Sequence, residues 1–193
     1  MKIWVASRRR SAKPLRREHG EAALIDVTSR APDPWVRLSP FYPHGGLPVP
    51  LSPGVRAQSV EGVWQGLKVF ESAGVDTSKF EISSMKGLKR TVRRLGPVLG
   101  HAAGVGSNEL LTYGEARHLI YLPTYRYVLE QCVTDLVERL RELARGTGVV
   151  LLDYETNCDI DDLSKPLSHA GLIRAHIMGH WPVRGSSEGG RVR

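Results

Sequence analysis

Cysteine is scarce in this 193-residue chain: Cys132 and Cys158 stand alone, without metal-ligand spacing, and Cys132 falls in an apolar helical pattern. Two isolated thiols make no disulfide framework, and a reduced, cytoplasmic protein is expected. Long apolar runs are missing as well; none approaches the roughly 20 residues that span a bilayer. The first residues are basic, but no apolar stretch follows them, so a secretory signal is not expected. HExxH, GxSxG and P-loop patterns do not occur. His176-x3-His180 is the one histidine pair at helical spacing, and it stands beside Gly179 without further obvious ligands. No metal and no redox cofactor is expected.

What is present is basic charge, unevenly placed. Of the net +7, residues 1–20 carry +6, with Lys2, Arg8, Arg9, Arg10, Lys13, Arg16 and Arg17 against Glu18 alone. Such a stretch can neutralise phosphates or simply keep the chain in solution, and the sequence leaves both open. At 41 % hydrophobic residues the chain can bury one substantial core. The division expected is a basic N-terminal arm over 1–20, a single domain over 21–182 and a disordered tail over 183–193.

The periodicities predict a mainly α fold with minor β structure, a compact single α+β domain with a few short strands. Lys2 to Ser7 and Ala22 to Thr28 read as strands, and VVLLDY from Val149 to Tyr154 is the strongest strand signal. Seven prolines between Arg30 and Pro53 exclude a helix there, yet that segment holds Trp35, Phe41 and Tyr42. Helices are expected from Ile82 to Leu95 with a strongly basic face, from Glu109 to a stop at Pro123, from Thr124 to about Arg145, and from Ser168 to Met178. The glycine-rich run after Gly100 lacks a third glycine and a preceding strand, so it is no dinucleotide fingerprint. Asp159-x-Asp161-Asp162 lacks the glycine and terminal glutamate of a calcium loop.

Ser59 to Phe70, SVEGVWQGLKVF, carries the most chemistry. A helix beginning after Ser59 puts Glu61, Gln65, Lys68 and Ser72 on one polar line, opposite Val60, Val63, Trp64, Leu67 and Phe70. Ser59 suits the N-cap and Glu61 the first turn. Gly62 and Gly66 leave a bare flank, which another backbone or a ligand can approach closely.

Three pieces in this order resemble the NADAR/YbiA-like superfamily of small N-glycosidase domains. LSPFYP, from Leu38 to Pro43, resembles its early F-S-N-F-Y-P segment. Val60, Glu61, Trp64, Gln65, Lys68 and Phe70 echo its V-E-H-x-F-Q-A-x-K-F helix. LLDYETNCD, from Leu151 to Asp159, and the helix around Gly171 to Gly179 resemble its late strand, acidic loop and final helix. The resemblance implies a compact helical YbiA-like fold that hydrolyses N-glycosidic bonds of ribosylated, phosphate-bearing bases, such as ADP-ribosylated nucleobases or riboflavin-pathway intermediates. It implies Glu61 as principal catalytic carboxylate and Asp159 as the second. Ser39, Phe41, Tyr42, Trp64, Gln65 and Lys68 become substrate contacts, with the aromatics stacking on a ring. The family's histidine after the glutamate is Gly62 here, and its late Trp-Gly pair is replaced by Ile160, Asp161 and Asp162. Two other readings stand beside it: a non-catalytic module binding ADP-ribose or another nucleotide, and a nucleic-acid-associated protein using residues 1–20 and the basic 86–94 stretch.

Overall fold

A computed structural model describes residues 1–183. The tail expected to be disordered therefore lies outside the described residues, apart from Val183. In chain order the elements are β1 (Ile3–Ser7), α1 (Ala12–His19), β2 (Ala23–Asp26), β3 (Leu47–Pro48), β4 (Arg56–Ala57), α2 (Val60–Leu67) and β5 (Lys68–Phe70). Then follow α3 (Val92–Leu95), β6 (Val98–Ala102), β7 (Leu110–Leu111), α4 (Tyr113–Ala116), α5 (Leu122–Tyr127), α6 (Thr134–Arg145), β8 (Val149–Asp153) and α7 (His169–Met178). Helix outweighs strand, and the molecule is an α+β single domain.

β8 is the centre of a three-stranded parallel sheet in the order β1-β8-β2. Its VVLLD sequence is apolar on both faces because both faces are covered. Val149 and Leu151 join Ile3, Val5 and Ile25 on the side packed by α5, α6 and α7. Val150 and Leu152 join Trp4, Ala6 and Leu24 on the other side, where the wholly buried Leu15 of α1 closes the layer. The register Ile3↔Val149 and Ala23↔Val149 makes the alternation agree across all three strands.

Residues 1–20 are accordingly no separate arm. They supply an edge strand and a covering helix, and their cations lie on the outer surface, where Arg8 pairs with Asp26 and Arg10 with Glu18. Pairs this exposed contribute little to stability.

A second core lies under α2, where Val63 and Leu67 meet Phe80, Leu111, Ala116 and Ile120. The bare flank of α2 is filled by protein. A Cβ on Gly62 would stand 2.7 Å from the Lys79 carbonyl oxygen, and one on Gly66 would stand 2.2 Å from the Phe80 ring. The short 3-10 turn Thr77–Phe80 is thus the backbone that needs those glycines.

Four predicted helices differ from the observed ones; the one expected from Thr124 to about Arg145 is broken at Val133, between a π turn over Val128–Cys132 and α6. α2 stops at Leu67, and Lys68 is already extended (φ −68°, ψ 129°) as the first residue of β5, so Ser72 is not on the helix. Of Ile82–Leu95 only Val92–Leu95 is helical. The chain turns at Gly87 (φ 74°), and Arg90 reaches inward to donate to the carbonyls of Gln65, Lys68 and Gly74. Pro123 does not end a helix: it lies in the first turn of α5, directly after a π turn over Arg117–Tyr121. Proline brings no N–H and crowds the carbonyl four residues back, and a widened turn accommodates both.

Gly66→Ala is expected to lower stability by about 1–3 kcal/mol, because overpacking against Phe80 outweighs alanine's better helix propensity. A urea midpoint that stays put or rises would remove the close approach as the reason for this glycine.

Candidate functional site

The three parallel strands end on the same side, and ligands of parallel sheets bind beyond the carboxyl ends of the strands. A cleft of about 460 Å3 lies there. Thr28 and Ser29 reach it from the end of β2, and Asp153, Tyr154 and Glu155 from the end of β8. The opposite wall comes from α2, with Glu61, Trp64 and Gln65, and from Lys68 just beyond it. Ser39, Pro40 and Phe41 of the proline-rich segment, Lys89, and the Tyr113–Arg117–Tyr121 face complete the lining.

The helix that carries the first carboxylate is well specified. Ser59 accepts from the Gly62 N–H at 3.0 Å as its N-cap, and the Glu61 N–H donates to the Pro40 carbonyl at 2.9 Å. That backbone bond brings the Ser39–Phe41 turn beside Glu61. The Glu61 side chain is buried, and Gln65 donates to its Oε1 at 2.9 Å from one helical turn on. Gln65 is itself held, its Oε1 accepting from the Arg90 N–H at 3.0 Å. Burial pushes the Glu61 carboxyl above its ordinary range, against the pull of Gln65, Lys68 and Lys89. Burial likewise pushes Lys68 down, against Glu61. Each is biased toward its neutral form, the condition for moving a proton near neutral pH.

The second carboxylate is set the opposite way. Asp153 accepts from Ser168 Oγ at 2.8 Å and the Ala170 N–H at 3.3 Å, and its other oxygen accepts from the Tyr154 N–H at 2.7 Å. His169 Nδ1 lies 3.0 Å from Asp153 Oδ2, and its Nε2 lies 2.8 Å from the Val27 carbonyl oxygen. Both ring nitrogens thus face acceptors, an arrangement that favours the doubly protonated ring. Burial alone would lower the His169 pKa; the Asp153 charge and hydrogen bond, with the Val27 carbonyl, outweigh it and raise it. For Asp153, burial is outweighed by His169, Ser168 and Ala170, and the carboxyl is held below its usual range. Tyr121, between these carboxylates, is pushed well above 10 by burial, then by Glu61 and Asp153, so it remains a phenol.

Aromatic rings give the cleft its shape. Trp64 packs tilted at 37° on the buried His101 with ring centres 3.9 Å apart, with Tyr121 at 5.7 Å and Tyr113 at 5.9 Å edge-on. Lys68 Nζ lies 5.7 Å from the Trp64 ring and Lys89 Nζ 5.6 Å from the Phe41 ring. Burial and Lys68 together hold His101 neutral, with its pKa lowered to about 3.

Of the residues singled out from sequence, Ser39, Phe41, Glu61, Trp64, Gln65 and Lys68 converge on this cleft. Tyr42 does not line it; its ring packs on His44 at 4.8 Å. Asp159 does not line it either. It is exposed at the far end of the acidic loop, where its carboxylate accepts from the Asp161 N–H at 2.9 Å. Asp153 takes the place on the wall that Asp159 was expected to hold. Position was the available signal, since Asp153 closes the strongest strand, whose carboxyl end faces a parallel-sheet binding edge. His169 stands next to the Ser168 N-cap, and nothing local distinguished it.

The acidic loop is organised by a cation from the protein. Arg117, 2 % exposed, donates to the carbonyls of Ile160 and Asp162 at 2.9 Å each and to that of Lys165, and it lies 4.6 Å from the Tyr113 ring. Among the described residues no group of three or more His, Cys, Asp or Glu side chains is placed to hold a metal ion, and no helix is long and apolar enough to cross a membrane.

Fold and cleft together define an α+β protein with an aromatic-walled, lysine-edged cleft at the carboxyl end of a parallel sheet. The chain belongs to a family of unknown function, DUF6939, which it matches over residues 7–173. No curated protein of described function matches it.

The raised His169 contributes stability fully below its ordinary value of 6.5, and this is lost as pH rises through the folded value. The lowered Asp153 contributes fully above its ordinary 3.8, and this is lost as pH falls through the folded value. Stability from the pair is therefore complete between about 4 and 6.5. His169→Gln, measured by urea unfolding across pH, should lose most in that window; a pH-independent loss would break the linkage. Arg117→Met should free the acidic loop, speeding hydrogen exchange of amides 159–165 on the order of ten-fold or more while β8 stays protected. Unchanged exchange in the loop would show that Arg117 does not hold it.

Proposed function

We propose that this protein is an N-glycosidase hydrolysing the bond between ribose and a base in a phosphate-bearing substrate. The observation that carries this reading is the gathering of Glu61, Gln65 and Lys68 with the Trp64 and Phe41 rings in one cleft. These residues also bear the resemblance to the NADAR/YbiA-like superfamily. Asp153, rather than Asp159, is the second carboxylate of the proposal. Of the three carboxylates lining the cleft, Glu61 and Asp153 are pushed apart, one toward the acid and one toward the anion, and such a split assigns roles.

In the proposed reaction the base stacks against Trp64 or Phe41, and the phosphate meets Lys68 and Lys89. The C1′–N bond breaks with its electron pair leaving on the base, and positive charge develops on the ribose. Asp153, a fixed anion, stabilises that charge at the cleft floor. Glu61, which burial favours in its protonated form, gives its proton to the departing base and, then a carboxylate, takes up the proton of the water whose oxygen bonds to C1′. Gln65 holds the Glu61 carboxylate in place, and Tyr121 supplies a phenolic donor. The two free thiols, Cys132 and Cys158, suit a reducing cytoplasm.

The test is release of free base, followed by mass spectrometry, from ADP-ribosylated guanine DNA, free ADP-ribose conjugates and ribosylaminopyrimidine phosphates. Wild type should release base from one of these, and Glu61→Gln should slow release by about 10²–10⁴-fold. If neither protein releases base while both bind ADP-ribose, the cleft belongs to a binding module and the glycosidase reading falls.

A further inference from the structure

A second basin of about 690 Å3 lies beside the cleft, between the 73–76 turn and the segment leading into α3. Lys89 lines both. Besides Lys89, the basin walls carry Lys79, Arg90, Arg94 and Thr91, with Asp76 as the one carboxylate among its described lining residues. Asp76 is already engaged: one oxygen accepts from Ser78 Oγ at 2.5 Å, and the other lies 3.9 Å from Arg90 Nε. Four cations thus share one occupied anion.

Arg90 forms the base of this concavity, its side chain only 6 % exposed. Its guanidinium donates to the carbonyls of Gln65, Lys68 and Gly74, at 3.2, 2.6 and 2.8 Å. Carbonyl acceptors satisfy most of its N–H groups, and Asp76 at 3.9 Å is the carboxylate that offsets its charge. Burial lowers its pKa, and Asp76 opposes that shift. Lys89 and Arg94 are exposed at the rim. Like charges confined in one hollow repel each other, and a bound anion relieves that repulsion while gaining several charge-assisted hydrogen bonds.

We infer that this basin binds a second phosphate of the ligand held in the neighbouring cleft, with Lys89 between the two sites. The identity of the cleft ligand rests on the proposed function; the anion site itself does not. The second phosphate can come from the diphosphate of an ADP-ribose-like metabolite or from the next phosphodiester of a single nucleic-acid strand. Both present the same chemistry to Lys79, Arg90 and Arg94.

Binding of tripolyphosphate, AMP, ADP-ribose and a single-stranded pentanucleotide is measured calorimetrically with the full chain, as wild type and as Arg94→Glu. Arg94 is exposed, and an unchanged thermal midpoint verifies that the variant folds. Wild type should bind tripolyphosphate. The variant should bind tripolyphosphate and at least one longer ligand about ten-fold more weakly, with AMP unaffected. Loss confined to ADP-ribose identifies a diphosphate metabolite, and loss confined to the pentanucleotide identifies a strand. The inference is overturned if wild type does not bind tripolyphosphate, or if the variant weakens AMP and the longer ligands equally. Arg94-dependent tripolyphosphate binding without base release from any glycoside would leave the basin standing and remove the glycosidase. Base release with Arg94-independent binding would do the reverse.

Discussion

A carboxylate taken out of water must be paired and hydrogen-bonded, and the way Asp153 meets that demand holds this molecule in register. Its two oxygens collect the Tyr154 and Ala170 N–H groups, the Ser168 hydroxyl and the His169 ring. One side chain thus ends β8, caps the start of α7 and fixes a histidine whose other nitrogen reaches the chain leaving β2. The carboxyl end of the sheet and the amino end of the last helix cannot shift independently. What remains on the cleft side is a carboxylate held in place and charge-balanced by His169. Glu61 contrasts with it: one amide donor, deep burial and two lysines at a distance leave its proton negotiable.

Arginine serves the rest of the framework in an uncommon way. Arg90 and Arg117 are both largely buried, and both spend their donors mainly on backbone carbonyls. Each gathers a stretch that lacks regular structure: Arg90 ties the end of α2 to the 74–76 turn, and Arg117 ties the acidic loop to α4. A guanidinium suits this task because its five donors are fixed in a plane and its charge persists at any ordinary pH. Part of the +7 net charge is therefore internal scaffolding. The basic look of the 86–94 stretch mixes a structural residue, Arg90, with exposed ones, Lys89 and Arg94.

Strong local patterns carried through from sequence to structure. VVLLD is a strand because no other element accepts apolar residues on both faces over so short a length, and Ser59 and Ser168 do cap α2 and α7. The convergence of Ser39, Phe41, Glu61, Trp64, Gln65 and Lys68 followed from a family-like pattern. The misses share a cause: each depends on a partner distant in the chain. Leu15 identifies residues 12–19 as a covering helix only once Val150 is beneath it. The basic 82–91 stretch is irregular because Arg90 is drawn toward α2, and Pro123 is tolerated because the turn before it widens. Asp159 looked like a site residue by its place in an acidic loop, yet Arg117 holds the 160–165 part of that loop and Asp159 stays exposed, off the cleft.

Position 62 bears on the chemistry. The resembled superfamily places a histidine there, and its replacement by glycine could be taken for a lost catalytic group. In this chain the flank of α2 at Gly62 faces the Lys79 carbonyl, where even a Cβ would come within 2.7 Å. A histidine would have to displace the whole Thr77–Phe80 turn, and with it Phe80, which is buried against Gly66. The glycine is thus tied to how the 3-10 turn docks on α2, on the side of the helix away from the cleft. Proton transfer in the proposed reaction has to rest on groups that do face the cleft. Glu61, raised by burial, and Lys68, lowered by it, face the cleft with each shifted toward its neutral form.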